Sequence, residues 1–153
     1  GDPLQGVQRV FANGVAFAAV KDDGSVVTWG RAHGGGNSER VRGQLCDGVQ
    51  LVAGTFLAFA AVKTDGSVVT WGSSNHGGNS ENVQAQLTDV KDVLGNVGAF
   101  AAVKRCGSVV TWGDETSGGD CDVFQERLND VSWLAATSGA FAAIKTNGCV
   151  VTW

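Results

Sequence analysis

Few residues in this 153-residue chain have the type and spacing that chemistry needs. His33 and His76 sit at nearly the same place in two stretches that precede a Gly-Gly pair, but the third such stretch has Ser117 there. A metal shared between the two histidines would need further ligands, and exposed loop histidines are the expectation. The run Asp114-Glu115-Thr116-Ser117-Gly118-Gly119-Asp120-Cys121-Asp122 is acidic and glycine-bent, the composition that calcium favours. Its spacing fits neither the EF-hand loop nor the Gly-Gly-x-Gly-x-Asp nonapeptide, so a solvated loop is expected. Cys46, Cys106, Cys121 and Cys149 contain no Cys-x-x-Cys pair, which argues against zinc. Four cysteines allow three connectivities and the sequence selects none; free thiols are the expectation. No Ser-His-Asp arrangement or paired-carboxylate pocket stands out. The chain is expected to have no catalytic residues, no metal site and no cofactor, and not to be an enzyme.

The elements around these residues repeat. Val-Val-Thr-Trp occurs four times, ending at Trp29, Trp71, Trp112 and Trp153, at spacings of 42, 41 and 41 residues. Each copy follows Ala-Phe-Ala-Ala-Val/Ile-Lys, ending at Lys21, Lys63, Lys104 and Lys145. Further upstream lies an apolar pair three apart: Val7/Val10, Val49/Val52, Val90/Val93 and Val131/Leu134. After each of the first three Trp residues come a Gly-Gly-Asn/Asp-Ser/Cys string and an apolar pair four apart (Val41/Leu45, Val83/Leu87, Phe124/Leu128). The pattern predicts an all-β repeat protein of four units of about 41 residues (1–30, 31–72, 73–113 and 114–153), each with three antiparallel strands and a short linking helix. Propeller-like blades are the first expectation and an open β-solenoid the alternative.

The hairpin turns are predicted at Asp23-Gly24, Asp65-Gly66, Cys106-Gly107 and Asn147-Gly148. A two-residue type I′ turn there requires φ > 0 at both central residues, which predicts strain at Cys106. That turn sets Val62 opposite Val69 and Ala60 opposite Trp71, with Phe59, Ala61 and Val68 on the other side together with Lys63 and Thr70. Both faces are then largely apolar and must be covered by neighbouring units, Trp of one unit near Phe of the next. Phe17, Trp29, Phe59, Trp71, Phe100, Trp112, Phe141 and Trp153 form the expected core, and Gly24, Gly66, Gly107 and Gly148 the turns. Ser38, Ser80 and Cys121 open the predicted linking helices, with Ser as N-cap. The repeated lysines would form a ladder, their stems over the Phe face and their ammonium groups in water.

The string Ala61-Val62-Lys63-x-Asp65-Gly66-x-x-Val69-x-Trp71-Gly72, with the lead-in Val49-x-x-Val52-Ala53-Gly54, resembles the repeat of the regulator-of-chromosome-condensation family. The resemblance covers nearly the whole chain, four times over. The family's Gly-Gln-Leu-Gly loop is replaced here by Gly-Gly-Asn-Ser and relatives, and the period is shorter, as in the short, HERC-like variant repeats. The resemblance implies a β-propeller used for protein–protein contacts. It does not extend to nucleotide exchange, because no residues match that catalytic loop.

Net charge is −4 and the pI about 5.0, without the basic footprint of a nucleic-acid binder. No apolar run approaches the roughly 18 residues of a membrane helix, so a soluble chain without membrane insertion is expected. Side chains vary most over 30–50, 72–82 and 113–130, on a constant framework. The expected function is a non-enzymatic scaffold that meets protein partners through linker loops and end faces. The alternatives are an accessory subunit peripheral to a larger complex, such as an algal photosynthetic complex, or a spacer in a surface protein, and beyond those a lectin-like or calcium-binding domain. All four sheets are complete in themselves, and of the linker ahead of unit 1 only the end, at Leu4, is present. An open array would expose an apolar hairpin at each end, around Phe17 or Trp153. The expectation is therefore an excerpt of a longer repeat protein, or end faces covered by other chains.

Overall fold

The computed structural model describes residues 3–153. Four three-stranded antiparallel sheets follow one another along the chain, each in sequential strand order. They are β1 (Val7–Ala12), β2 (Ala16–Lys21) and β3 (Val26–Gly30); β4 (Val49–Gly54), β5 (Ala58–Lys63) and β6 (Val68–Gly72); β7 (Val90–Gly95), β8 (Ala99–Lys104) and β9 (Val109–Gly113); and β10 (Val131–Ala136), β11 (Phe141–Lys145) and β12 (Val150–Thr152). The fold is an all-β array of four blades.

The β-branched and aromatic residues of Ala-Phe-Ala-Ala-Val and Val-Val-Thr-Trp suit extended backbone. What joins them differs from the two-residue turn read from sequence. In the second blade Gly66 N–H donates to Lys63 O (2.9 Å) and Lys63 N–H to Ser67 O (2.9 Å). This is a three-residue loop, a type I turn closed by a left-handed glycine. Only the glycine has positive φ (Gly66, +82°), so Cys106 is unstrained in the equivalent turn of the third blade. Asp65 instead accepts hydrogen bonds from Ser67 N–H (2.9 Å) and Ser67 Oγ–H (2.6 Å), which holds the turn.

The extra loop residue moves the register by one position. Val62 pairs with Val68, Ala61 with Val69, Ala60 with Thr70 and Phe59 with Trp71. A slip of one residue exchanges the faces of a strand. Phe59 and Trp71 therefore share a face, stacked at 5.4 Å within one blade; the Trp does not lie near the Phe of the next unit as the two-residue turn implied. The opposite face carries Ala58, Ala60, Val62 and Val68.

A second irregularity explains the apolar pairs three apart. Strict alternation would put Val49 and Val52 on opposite faces. A bulge between Val49 and Leu51 brings both to the Phe–Trp face, and the same shift recurs in the other three lead strands. The residue before each lead strand is left-handed: Gly6, Gly48, Asp89 and Asp130.

The linkers are 3₁₀ helices: one turn over Ala32–Gly34, Ser74–His76 and Glu115–Ser117, then six residues over Glu39–Gln44, Glu81–Gln86 and Asp122–Arg127. Ser38 and Ser80 do not cap them. Their backbone is not extended, and their hydroxyls meet those of Thr28 (2.9 Å) and Thr70 (2.8 Å), tying linker to blade. The capping oxygens belong to the preceding Asn37, Asn79 and Asp120, which accept from the backbone N–H two residues on, each at 2.9 Å.

Candidate functional site

The surfaces able to meet a partner follow from how the blades stack. Each blade lays its Phe–Trp face on the small-residue face of the blade before it. Between the first and second blades, Phe59, Ala61, Val69 and Trp71 pack on Ala16, Ala18 and Val20, with Leu45, Val49 and Val52 filling the seam. The same arrangement recurs with Phe100 and Trp112 on Ala58, Ala60 and Val62, and with Phe141 and Val151 on Ala99, Ala101 and Val103. The indole N–H of Trp71, Trp112 and Trp153 donates to Gly35 O, Gly77 O and Gly118 O of the linker before it, at 3.0–3.1 Å. These contacts join successive blades, and among the described residues the first and the fourth blade each have one face on which no other blade packs. The first exposes Val10 (55%) and Phe17 (43%), beside the half-buried Val27 and Trp29. The fourth exposes Trp133 (63%), Ile144 (39%) and Val150 (55%).

Phe59, Trp71, Phe100, Trp112 and Phe141 are buried, and Trp153 is half-buried against the third blade. Phe17, counted in the core from sequence, stacks on Trp29 at 5.3 Å but is 43% exposed, because none of the four described blades packs on that face. Gly24, Gly66, Gly107 and Gly148 occupy the left-handed turn positions.

Successive linkers enclose polar clefts. One of about 580 Å³ lies between the first and second linkers and is lined by His33, Asn37, Glu39, Thr70, Asn79 and Gln84. Its neighbour, about 470 Å³, is lined by Asn79, Asn82, Gln86, Asp120, Asp122 and Gln125 among others. Apolar side chains are exposed away from the end faces as well: Val123 (89%) on the third linker, and Phe56 (50%) and Val97 (46%) on adjacent strand-joining loops. These loop residues were not singled out from sequence, where they are isolated apolar positions without periodicity.

The groups weighed first for chemistry are held by their own loops. His33 is exposed; His76 Nδ1 lies 3.1 Å from Ser73 Oγ. Asp114 accepts from Thr116 N–H (3.0 Å), Thr116 Oγ–H (2.9 Å) and Ser117 Oγ–H (2.8 Å), and these bonds hold its carboxyl below the usual range. Among the described residues no three His, Cys, Asp or Glu side chains are grouped to share a metal. The four thiols are free. Cys121 is buried, which pushes its thiol up, with a hydrogen bond from Thr111 opposing. Cys106 is exposed and held below its usual value by hydrogen bonds from Ser108. The lysines do not simply run out into water: Lys63 Nζ reaches Asp47 (3.3 Å), Lys104 Nζ Thr88 Oγ1 (3.3 Å) and Lys145 Nζ Asn129 Oδ1 (2.8 Å), each fastening its strand to the end of the preceding linker.

The stacked three-stranded blades have counterparts among solved structures. The fold is that of RCC1-like propellers. Yeast RCC1 (Prp20), solved bound to Kap60, superposes with a TM-score of 0.71 at 15% identity, over 96% of this chain and 43% of that one. Human WBSCR16 gives 0.62 at 20% identity, over 100% and 49%. The ectodomain of the Arabidopsis thaliana receptor kinase ACR4 gives 0.59 at 18%, over 96% and 50%. The chain thus spans about half the length of these proteins or less. No family model matches it, and no curated protein matches it in sequence. No helix among the described residues is long and apolar enough to cross a membrane.

Proposed function

We propose that this chain is a non-enzymatic repeat scaffold, built from a short variant of the RCC1-type repeat, that binds protein partners through its linker loops and end faces. The observation that carries the reading is the contrast between a repeated, buried framework and exposed apolar side chains where the repeat meets solvent: Val123, Phe56 and Val97 on loops, Val10 and Val150 on the ends. Exposed apolar groups rimmed by polar ones mark association surfaces. Three further observations support it. The Asp114 carboxylate and the His76 ring are engaged within their own loops. The chain is acidic overall, which disfavours a phosphate backbone as partner. The yeast neighbour has been solved on Kap60, and its binding to Gsp1p and histones has been described; protein partners are proposed for this chain in turn, though not those proteins.

The test is capture of partners by the 153-residue chain at physiological salt, compared with a loop variant carrying Phe56→Ser, Val97→Ser and Val123→Ser. These positions are 46–89% exposed, so the melting temperature should stay close to wild type. Specific capture that the loop variant loses supports the reading. Capture that the folded loop variant retains unchanged, or turnover of a small molecule by the wild-type chain, overturns it.

A further inference from the structure

We propose that the outer edges of β6 and β9 each take up an extended peptide segment of a protein partner, which pairs with them as a fourth strand. The assignment rests on the reading of the chain as a protein-binding scaffold, but it places the segment in the clefts between linkers and not on the exposed loop side chains.

Along an antiparallel pair, successive residues turn their backbone groups alternately toward the partner strand and away from it. In the second blade Lys63 N–H donates to Ser67 O and Ser73 N–H to Leu57 O, each at 2.9 Å, which fixes the phase. Val69 and Trp71 therefore bond to β5, while Val68, Thr70 and Gly72 turn their N–H and C=O groups outward. In the third blade Lys104 N–H to Ser108 O and Asp114 N–H to Gly98 O, also at 2.9 Å, set the same phase for Val109, Thr111 and Gly113. A linker side chain closes the start of each edge: Gln84 Nε2 donates to Val68 O (3.1 Å) and Gln125 Nε2 to Val109 O (3.3 Å). Each amide makes one rung that an added strand would make. At the next outward position no hydrogen bond from any described residue reaches the backbone N–H or C=O of Thr70 or of Thr111. Their hydroxyls are engaged, by Ser80 Oγ (2.8 Å) and by Cys121. Backbone groups away from solvent are nearly always paired, and Thr111 is only 7% exposed.

Propeller blades are typically four-stranded sheets, whereas each of these has three strands. A fourth strand has no room on the inner edge, where a Cβ at Gly95 of β7 would collide with Gly54 O of β4. The outer edge is different. Residues 68–72 floor the cleft of about 580 Å³, and residues 110–113 floor the cleft of about 470 Å³. An extended peptide added to such an edge takes affinity from main-chain hydrogen bonds and specificity from the side chains beside it. In the first cleft Asn37 and Asn79 use their Oδ1 atoms on the backbone of their own linkers, which leaves their amide N–H groups to meet carbonyls of the segment. Arg40 there stands with Glu39 and Glu81, so neither sign of charge is selected. The second cleft is lined by Glu115, Asp120 and Asp122 and by no Lys or Arg, and it selects a segment carrying basic side chains.

The probe is a peptide selected on the purified chain from a displayed library of random heptapeptides. On titration with that peptide, the backbone amide signals of Thr70 or Thr111 should shift in nitrogen-15 NMR spectra, and their hydrogen exchange should slow. Peptides that shift Thr111 should be rich in Lys or Arg. Methylating the peptide's backbone nitrogens one at a time separates strand pairing from side-chain contact. Binding should weaken about tenfold or more where the N–H faces the edge, the loss of one hydrogen bond, and change little at the alternate positions. Thr70→Pro with Thr111→Pro removes two N–H groups that the blades themselves do not use and should abolish binding. Thr70→Val with Thr111→Val keeps those groups and should bind, with circular dichroism reporting the fold of each variant. If the proline variant fails to fold, the methylated peptides decide. A library that yields no binder, methylation that acts equally at every position or at none, or a folded proline variant that binds as wild type does overturns the proposal. The loop variant with Phe56→Ser, Val97→Ser and Val123→Ser should bind the peptide unchanged, because none of the three lines either cleft. Loss of loop capture therefore leaves the edge site standing, and loss of the edge site leaves loop capture standing.

Discussion

The two middle blades and the two terminal blades carry nearly the same sequence on the same backbone, yet the same positions lead different lives. Phe59 and Phe100 are fully buried while Phe17 is 43% exposed. Val68 and Val109 are 1% exposed while Val150 is 55% exposed. Nothing inside a blade accounts for the difference; a neighbouring blade does. A repeat of this kind cannot bury its own faces, and its stability is a sum of unit and nearest-neighbour terms. The comparison makes the middle of the array a core and its ends surfaces.

The largest test of that comparison is the aromatic pair. Trp71→Ala removes a 4%-exposed side chain, its stack on Phe59 and its hydrogen bond to Gly35 O. Denaturant unfolding should show a loss of about 3–5 kcal/mol. Trp29→Ala removes the same residue type from the first blade, where the ring is half-buried, and should cost less than half as much. Equal losses at the two positions would mean that the seams between blades are not what stabilises the array.

The turn glycines refine the comparison. Gly66 and Gly148 have nearly equal φ, +82° and +85°, so an alanine pays the same backbone strain at both, roughly 1–2 kcal/mol. Around Gly66 a Cβ would lie 2.8 Å from Asp89 Cα of the next blade; around Gly148 nothing lies within 4 Å. Gly66→Ala should therefore destabilise clearly more than Gly148→Ala, and the excess isolates the contact between blades.

A smaller effect separates the cysteines. Alkylation of the native chain should label Cys106 readily, since it is exposed and its thiol is held below the usual value, and should spare Cys121, which is buried with its thiol raised. Mass spectrometry of the timed reaction checks this. Labelling of Cys121 as fast as Cys106 under native conditions would show that the seam between the third and fourth blades opens readily.

Much of this was legible in the sequence because it repeats. Strand positions, turn positions and the number of blades follow from the recurrence of Val-Val-Thr-Trp and Ala-Phe-Ala-Ala. The face on which Phe59 lies was not legible from Asp-Gly alone, because that dipeptide serves a two-residue turn and a type I turn with a glycine bulge equally well. The serine after it was the signal: Ser25 and Ser67 return two hydrogen bonds each to the Asp carboxylate, which the three-residue loop accommodates. The apolar pairs three apart held the bulge in the same way, since only an extra residue brings Val49 and Val52 to one face. The end faces were legible as apolar hairpins.

The smallest effect concerns acid, and it runs against the contrast between middle and ends. Asp23 lies in a terminal blade and Asp65 in a middle one, yet both carboxyls are held below the usual range by the same cause, hydrogen bonds from the hydroxyl and backbone N–H of Ser25 and Ser67. A carboxyl lowered on folding contributes stability that is fully present above its unfolded value and is lost as pH falls through the folded one. Unfolding free energy should therefore decline below about pH 4, modestly because both groups are exposed to solvent. Asparagine separates the charge from the hydrogen bond. Asn147 occupies the same turn position in the fourth blade and accepts from Cys149 N–H at 3.0 Å. Asp23→Asn and Asp65→Asn should each keep the turn and remove an equal share of the acid slope, measured by denaturant unfolding at a series of pH values. A much larger share for Asp65 than for Asp23 would mean that the turns, like the faces, depend on the blade next door; equal shares would mark them as local structure that each unit carries by itself.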